Sequence, residues 1–194
     1  MGLNMAQLKE LKKKICVLGD PAVGKTSLIR RYVYDEFDDK YITTLGAKVS
    51  KKELFLMFNP SGNNGYNVNL TLSIWDILGQ KDESTLRVRP VYYKGSSGAL
   101  LIVDITRRDT LDSLDDWIRS FFTITSKVPM VLLGNKVDLY KSARVFYDDL
   151  DEIGKKYGFP VFLTSAKTGS NVENAFYKLS DLMVKSSTET PPTN

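Results

Sequence analysis

The stretch Gly19-Asp20-Pro21-Ala22-Val23-Gly24-Lys25-Thr26 fits the pattern G-x-x-x-x-G-K-[ST], and no other feature constrains the fold as much. The pattern has meaning only as a loop that leaves a strand and enters a helix. Both neighbours are present. The apolar run Ile15-Cys16-Val17-Leu18 precedes it, and Ser27-Leu28-Ile29-Arg30-Arg31-Tyr32-Val33 follows it. In that setting successive backbone N–H groups from Ala22 to Thr26 converge on a phosphate, and the helix N-terminus adds its partial positive charge. Lys25 is expected to reach the β- and γ-phosphates, and the Thr26 hydroxyl to bind Mg²⁺. The nucleotide-contacting set over the loop is Asp20, Pro21, Ala22, Val23, Gly24, Lys25, Thr26 and Ser27. An ordinary glycine-rich turn is the alternative, and the motifs further along the chain argue against it.

A chain of 194 residues suits one α/β domain with a well-formed core. The 27 Lys and Arg exceed the 23 Asp and Glu by only four, too small a surplus for a nucleic-acid surface, and no basic stripe interleaved with aromatics is present. With one cysteine, Cys16, there is no internal disulfide, which points to a reducing, cytoplasmic compartment. Its place in the middle of an apolar run makes it a core residue. The absence of histidine excludes His-based acid–base and metal chemistry. No apolar run approaches the ~18 residues of a spanning helix, and no signal peptide is visible. Gly2 lacks the Ser or Thr that myristoylation wants at position 6, where Ala6 stands, and the chain ends Pro191-Pro192-Thr193-Asn194 with no cysteine to prenylate. The expectation is a cytoplasmic monomer, peripheral to a membrane at most.

Residues 1–13 are read as a frayed, solvated extension in preference to a short basic amphipathic helix. Strand 14–19 and a helix over 25–35 follow, then a polar loop. Residues 47–58 and Val68 to Trp75 alternate apolar with polar, and flank the turn cluster Asn59-Pro60-Ser61-Gly62-Asn63-Asn64-Gly65. They are expected to pair as an antiparallel hairpin. Ala99-Leu100-Leu101-Ile102-Val103, Met130-Val131-Leu132-Leu133 and Val161-Phe162-Leu163 read as buried strands, with helices near 109–125, 146–157 and 171–185. The result is an α/β fold: a six-stranded, mostly parallel sheet with one antiparallel strand and helices on both faces. Residues 186–194 are read as a disordered tail, leaving 14–185 as the nucleotide-binding domain.

Three further motifs fall at strand ends. In Trp75-Asp76-Ile77-Leu78-Gly79-Gln80, Asp76 supplies the second oxygen anchor for Mg²⁺, Gly79 lets a backbone N–H approach the γ-phosphate, and Gln80 orients an attacking water. In Asn135-Lys136-Val137-Asp138, the carboxylate accepts two hydrogen bonds that guanine offers and adenine does not. A site built on such bonds discriminates by about 10⁴–10⁵. Asn135 braces the loops and the Lys136 stem packs on the base. In Ser165-Ala166-Lys167, the Ala166 N–H is placed for the guanine O6. Each motif is weak alone; in order, each at a strand's carboxyl end, they mark the ligand side of an open α/β sheet.

With these residues in hand, the chain over 14–185 resembles the Ras superfamily of small GTPases, a branch of the P-loop NTPases. Trp75-Asp76…Gly79-Gln80, Tyr92-Tyr93-Lys94-Gly95 and Asp104-Ile105-Thr106 look most like the Rab branch. Tyr41-Ile42-Thr43-Thr44-Leu45-Gly46 resembles its first switch. The resemblance implies that Thr44 is a second hydroxyl ligand of Mg²⁺, that Tyr41 closes over the phosphates, and that Phe37 lies against the guanine edge. It implies loops 37–46 and 77–93 ordered by GTP and relaxed by GDP, through which effectors, exchange factors and GTPase-activating proteins bind.

This sequence also departs from the family pattern. Pro21 and Ala22 stand where many relatives carry Gly or Ser, and Pro21 has no N–H to give. Leu78 is bulky beside the γ-phosphate position and puts water positioning by Gln80 in question. The hairpin whose tip is 59–66 looks roughly ten residues longer than usual for the family it resembles. Arg87 and Arg89 are read as surface charge rather than as a built-in arginine finger. The function expected is a GTP-binding switch with slow hydrolysis by Gln80 and Lys25. A module that holds GTP or GDP without hydrolysis is a second reading, favoured by Leu78 and Pro21. An ATP-dependent enzyme is a third, which Asp138 opposes.

Overall fold

The computed structural model describes residues 7–38, 46–58, 66–77, 79 and 83–189. The strands are β1 (Gln7–Leu18), β2 (Ala47–Phe58), β3 (Tyr66–Ile77), β4 (Gly98–Asp104), β5 (Met130–Asn135) and β6 (Val161–Thr164). The helices are α1 (Lys25–Tyr34), α2 (Glu83–Tyr93), α3 (Arg108–Asp112), α4 (Leu114–Ile124), α5 (Tyr147–Tyr157) and α6 (Val172–Glu189). They form a six-stranded sheet in the order β2-β3-β1-β4-β5-β6. Only the β2–β3 pair is antiparallel among these ladders; β1 pairs parallel with β3 on one side and with β4 on the other.

Period-two alternation sends side chains to both faces, and each face has its own core. Ile15, Val17, Leu100 and Ile102 pack with Leu28 and Ile29 of α1 and Phe176 and Leu179 of α6. Cys16, Leu18, Leu101 and Val103 pack on the opposite side with Tyr93, Trp117, Phe121 and Leu150. Every residue of β4 and β5 is buried, which is why both read as continuous apolar runs. The expected sheet, its antiparallel strand, the hairpin and the helices on both faces are all present.

Four boundaries differ from those expected. First, β1 begins at Gln7, not near residue 14, and pairs with β3 from Gln7↔Tyr66 onward. The lysines that suggested a solvated extension are instead accommodated along a strand. Leu11 packs against the α1/α6 core, the Lys9 ammonium lies 4.3 Å from the Tyr66 ring centre, and Lys13 Nζ donates to Ser187 Oγ at 2.6 Å. Second, residues 83–93, expected to belong to a switch loop, form α2 with Pro90 inside it. Third, the helix expected over 109–125 is broken at Ser113 into α3 and α4. Fourth, α6 continues past residue 185 to Glu189, into the expected tail.

Candidate functional site

The chain leaves β1 for neighbours on both sides, β3 and β4, so the carboxyl end of β1 is a topological switch point, where open α/β sheets bind ligands. The 19–24 loop lies there. Gly24, the N-cap of α1, has φ +99°, and a Cβ on it would overlap the Asn135 side-chain amide; only glycine fits. Ala22 adopts φ +61°, a left-handed conformation that costs an L-residue roughly 1–2 kcal/mol.

Lys25 opens α1 and is buried. Its ammonium donates to the carbonyls of Gly19 at 2.8 Å and Asp20 at 2.7 Å. Burial pulls its pKa down to about 8; Asp76 and Asp20 pull it back up, and Arg89 and Arg107 push it down further. The Thr26 hydroxyl donates to Asp76 Oδ2, and Asp76 is itself buried at the end of β3. Gly79 lies directly on the loop: a Cβ there would stand 2.5 Å from Lys25 Nζ and 2.7 Å from the Pro21 nitrogen. The backbone of Gly79 can therefore meet whatever the loop holds.

At the other end, the Asn135 side chain ties three segments together. Its amide donates to the Val23 carbonyl at 2.9 Å, and its oxygen accepts from the Thr164 hydroxyl and the Ala166 N–H, each at 3.3 Å. The Ser165 hydroxyl donates to Asp138 Oδ1 at 2.6 Å. Asp138 is exposed. Lys136 stands at φ +72° with Nζ 2.6 Å from Asp104 Oδ2. Burial works to raise the Asp104 pKa, but hydrogen bonds from Lys136 and Thr106 outweigh it and hold the carboxyl below the usual carboxylate range.

The structure thus brings Asp20 to Ser27, Asp76 and Gly79 to one crevice, and Asn135, Lys136, Asp138 and Ser165-Ala166-Lys167 to its rim. Phe37 is half-buried against the α1/α6 core. Tyr41, Thr44, Leu78 and Gln80 lie outside the described residues. Arg89 is only 3 % exposed, which overturns its reading as surface charge; Arg87 is exposed.

Several supporting residues carried no signal of their role. Arg31 of α1 donates to the carbonyls of Ala166 at 2.9 Å and Lys167 at 2.8 Å, fastening the base loop to the phosphate helix. Arg107 donates to the Pro21 carbonyl at 2.7 Å and to Asp104 at 3.1 Å. Ser113 and Trp117 bond the carboxylate of Asp20. Apart from Arg107 to Asp104, these contacts join segments 86 to 136 positions apart, and only the fold makes them neighbours.

The sequence pattern of the Ras family matches residues 14–185. The chain belongs to the Ras family. Its similarity to Rab-type members is extensive. It is 35% identical to the Ras-related protein Rab-21 of Bos taurus over 173 residues, 89% of this chain and 73% of that protein. It is 32% identical over 184 residues to the Ras-related protein Rab-13 of Mesocricetus auratus, 94% and 85% of the two chains. It is 34% identical over 183 residues to the Ypt/Rab-type GTPase YPT7 of Saccharomyces cerevisiae, 90% and 83%. This Rab-like small GTPase is therefore a guanine-nucleotide switch and a hydrolase, of a family that works with Mg²⁺ and with effectors, exchange factors and GTPase-activating proteins. Among its described residues no helix is long and apolar enough to cross a membrane.

Proposed function

We propose that this small GTPase holds GTP or GDP with its base on Asp138 and Ala166 and its phosphates on the 20–27 loop, and hydrolyses GTP slowly. One observation carries the reading: the Asn135 side chain joins the base loops to the phosphate loop through the Val23 carbonyl. A single ligand with a guanine at one end and phosphates at the other spans the two. Phe37 and Lys136 flank the base, and Tyr41 covers the phosphates.

The donor set beside the phosphates suits Mg²⁺. Thr26 and Asp76 offer hard oxygen atoms already in contact, and a small cation bound mainly by phosphates and water needs few protein ligands. Thr26 and Thr44 hydroxyls would hold it, with Asp76 in support. When bound, Mg²⁺ neutralises charge on the β- and γ-phosphates. Lys25 neutralises further charge as the phosphoryl group departs, and Gln80 orients the water. Intrinsic turnover without a stimulating partner is then expected on the order of 10⁻⁴ s⁻¹.

Residues 14–185 serve as the catalytic domain, with β1 reaching past its start and α6 past its end. Segments 37–46 and 77–93 are the partner-binding switches of a monomer that works in the cytoplasm, at membrane surfaces when its partners are there. The test is single-turnover GTP hydrolysis with Mg²⁺, run with ATP as competitor. Hydrolysis that falls in Gln80→Leu and ignores excess ATP is the expected result. GTP retained without turnover would favour a non-hydrolysing module, and equal competition by ATP would overturn the base assignment.

A further inference from the structure

Asp20 is the second residue of the 19–24 loop, and its carboxylate is bonded to α4 and the residue that caps it. Oδ1 accepts the indole N–H of Trp117 at 2.7 Å, and Oδ2 accepts the Ser113 hydroxyl at 2.7 Å. Trp117 is 1 % exposed and Asp20 9 %. The guanidinium of Arg89 lies 4.0 Å from the centre of the Trp117 ring. A buried cation over an indole is a stronger contact than one in water. The three residues come from three elements: Arg89 from α2, Trp117 from α4 and Asp20 from the loop.

A tryptophan that only fills a core satisfies its N–H on any nearby carbonyl. This one donates to a carboxylate of the nucleotide loop, and a charge-assisted bond of that kind is about twice as strong as a neutral one. A surface arginine would stay in water, whereas Arg89 is withdrawn onto the same ring. Gly79 passes close to the loop, where a Cβ would overlap Lys25 Nζ and the Asp20–Pro21 peptide, and α2 starts at Glu83. Three residues of sequence separate Gly79 from α2, which carries Arg89.

We propose that Arg89, Trp117 and Asp20 form a relay through which the position of the second-switch helix sets the grip of the phosphate loop on the nucleotide. Trp117 and Arg89 are positioning residues in this relay. The inference rests on the GTP-switch reading above and adds a route by which the γ-phosphate, through Gly79 and α2, reaches the loop from its far side. Linkage makes the route reciprocal: what loosens Asp20 also biases α2.

The experiment uses the full chain with Mg²⁺ in a Trp75→Phe background, leaving Trp117 as its one tryptophan. Trp117 emission is recorded with GDP and with a non-hydrolysable GTP analogue. The two spectra are expected to differ in the parent, and Arg89→Met is expected to abolish the difference. Trp117→Phe, on the wild-type background, should speed GDP release about tenfold, the scale of one buried charge-assisted hydrogen bond, and change the ratio of GTP-analogue to GDP affinity. Ser113→Ala should also speed GDP release while keeping the Arg89-dependent emission difference. It carries the release arm of the test if Trp117→Phe does not fold. Identical emission in the two nucleotide states overturns the relay. So does a difference that survives Arg89→Met, or a Trp117→Phe protein that melts lower with an unchanged affinity ratio. A parent that binds no GDP overturns the switch reading itself, a different result from any of these.

Discussion

At the base end of the crevice, Asn135 makes three hydrogen bonds within the protein, and Asp138 is held by the Ser165 hydroxyl. At the phosphate end, the buried Lys25 ammonium is held by two backbone carbonyls, Gly19 and Asp20, and its pKa falls to about 8. At the first end, Asn135 and Asp138 have protein partners for their side chains. The phosphate end keeps a buried cation whose desolvation Asp76 and Asp20 only partly offset. Phosphate oxygens would repair that deficit. Under the proposed assignments, base recognition would use a prebuilt hydrogen-bond network, whereas phosphate binding would relieve part of the cost of burying Lys25.

The largest effect is expected where preorganisation serves selection. Asp138→Asn replaces the acceptor of two guanine donors with an amide that can donate to a carbonyl at the same place on xanthine. Preference for GTP over xanthosine triphosphate should fall by on the order of 10⁴, measured by competition against a fluorescent GDP. Retention of wild-type GTP affinity would remove Asp138 from the base site.

The next pair of variants sets the two ends against each other. Lys25→Met removes the charge that binds phosphate, and GDP affinity should drop by roughly 10²–10³, the worth of two charge-assisted hydrogen bonds. The nucleotide-free protein should nevertheless melt at the same or a higher temperature, because a poorly solvated ammonium is gone. Asn135→Ala should lower both GDP affinity and the melting temperature of the nucleotide-free protein, since it leaves the buried Val23 carbonyl and Ala166 N–H short of a partner. Calorimetric melting of stripped protein separates the cases. If both variants melt lower by similar amounts, the contrast between the ends fails.

Ser165→Ala is a finer probe. It removes one hydrogen bond to an exposed carboxylate, worth about 1 kcal/mol, or roughly fivefold in GDP affinity. A hundredfold loss would mean that Ser165 positions Asp138 rather than steadies it.

The same contrast explains what could be read before folding. The gathering of the 19–26 loop with Asp76, Gly79 and the 135–138 and 165–167 motifs was legible because each is a short local pattern at a strand end. The sheet was legible because β4 and β5 are buried on both faces and β2 and β3 alternate. Residues 7–13 were not. Leu8 and Leu11 have helical spacing, and strand pairing with β3 overrides it only because Leu11 finds Leu70 and the core beside it. Helix α2 was hidden by Pro90, which lacks a helix donor, and by the expectation of a mobile switch. Ser113, Trp117, Arg107 and Arg31 bond the loops across 86 to 136 positions of sequence, and no local pattern announces a contact of that range.

The smallest effect is expected farthest from both ends. The β2–β3 ladder runs without interruption from Ala47↔Ile77 at the phosphate end to Phe58↔Tyr66 at the other. Asp76 and Tyr66 are ten positions apart on one strand, about 33 Å at the rise of a β-strand. The segment joining Phe58 to Tyr66 lies outside the described residues, and the ladder fixes where its two ends stand. A connection of seven residues held at both ends there is too short to span that distance, at most about 25 Å fully extended. Replacing residues 60–65 with Asn-Gly should therefore leave GDP affinity within about twofold, roughly 0.4 kcal/mol, by calorimetric titration. Both ends of the site would keep their distinct behaviour, so Lys25→Met and Asn135→Ala should diverge as before in the shortened protein. A large loss of GDP affinity would instead mean that the long hairpin transmits to the crevice, and the boundary of the site would have to be redrawn to include it.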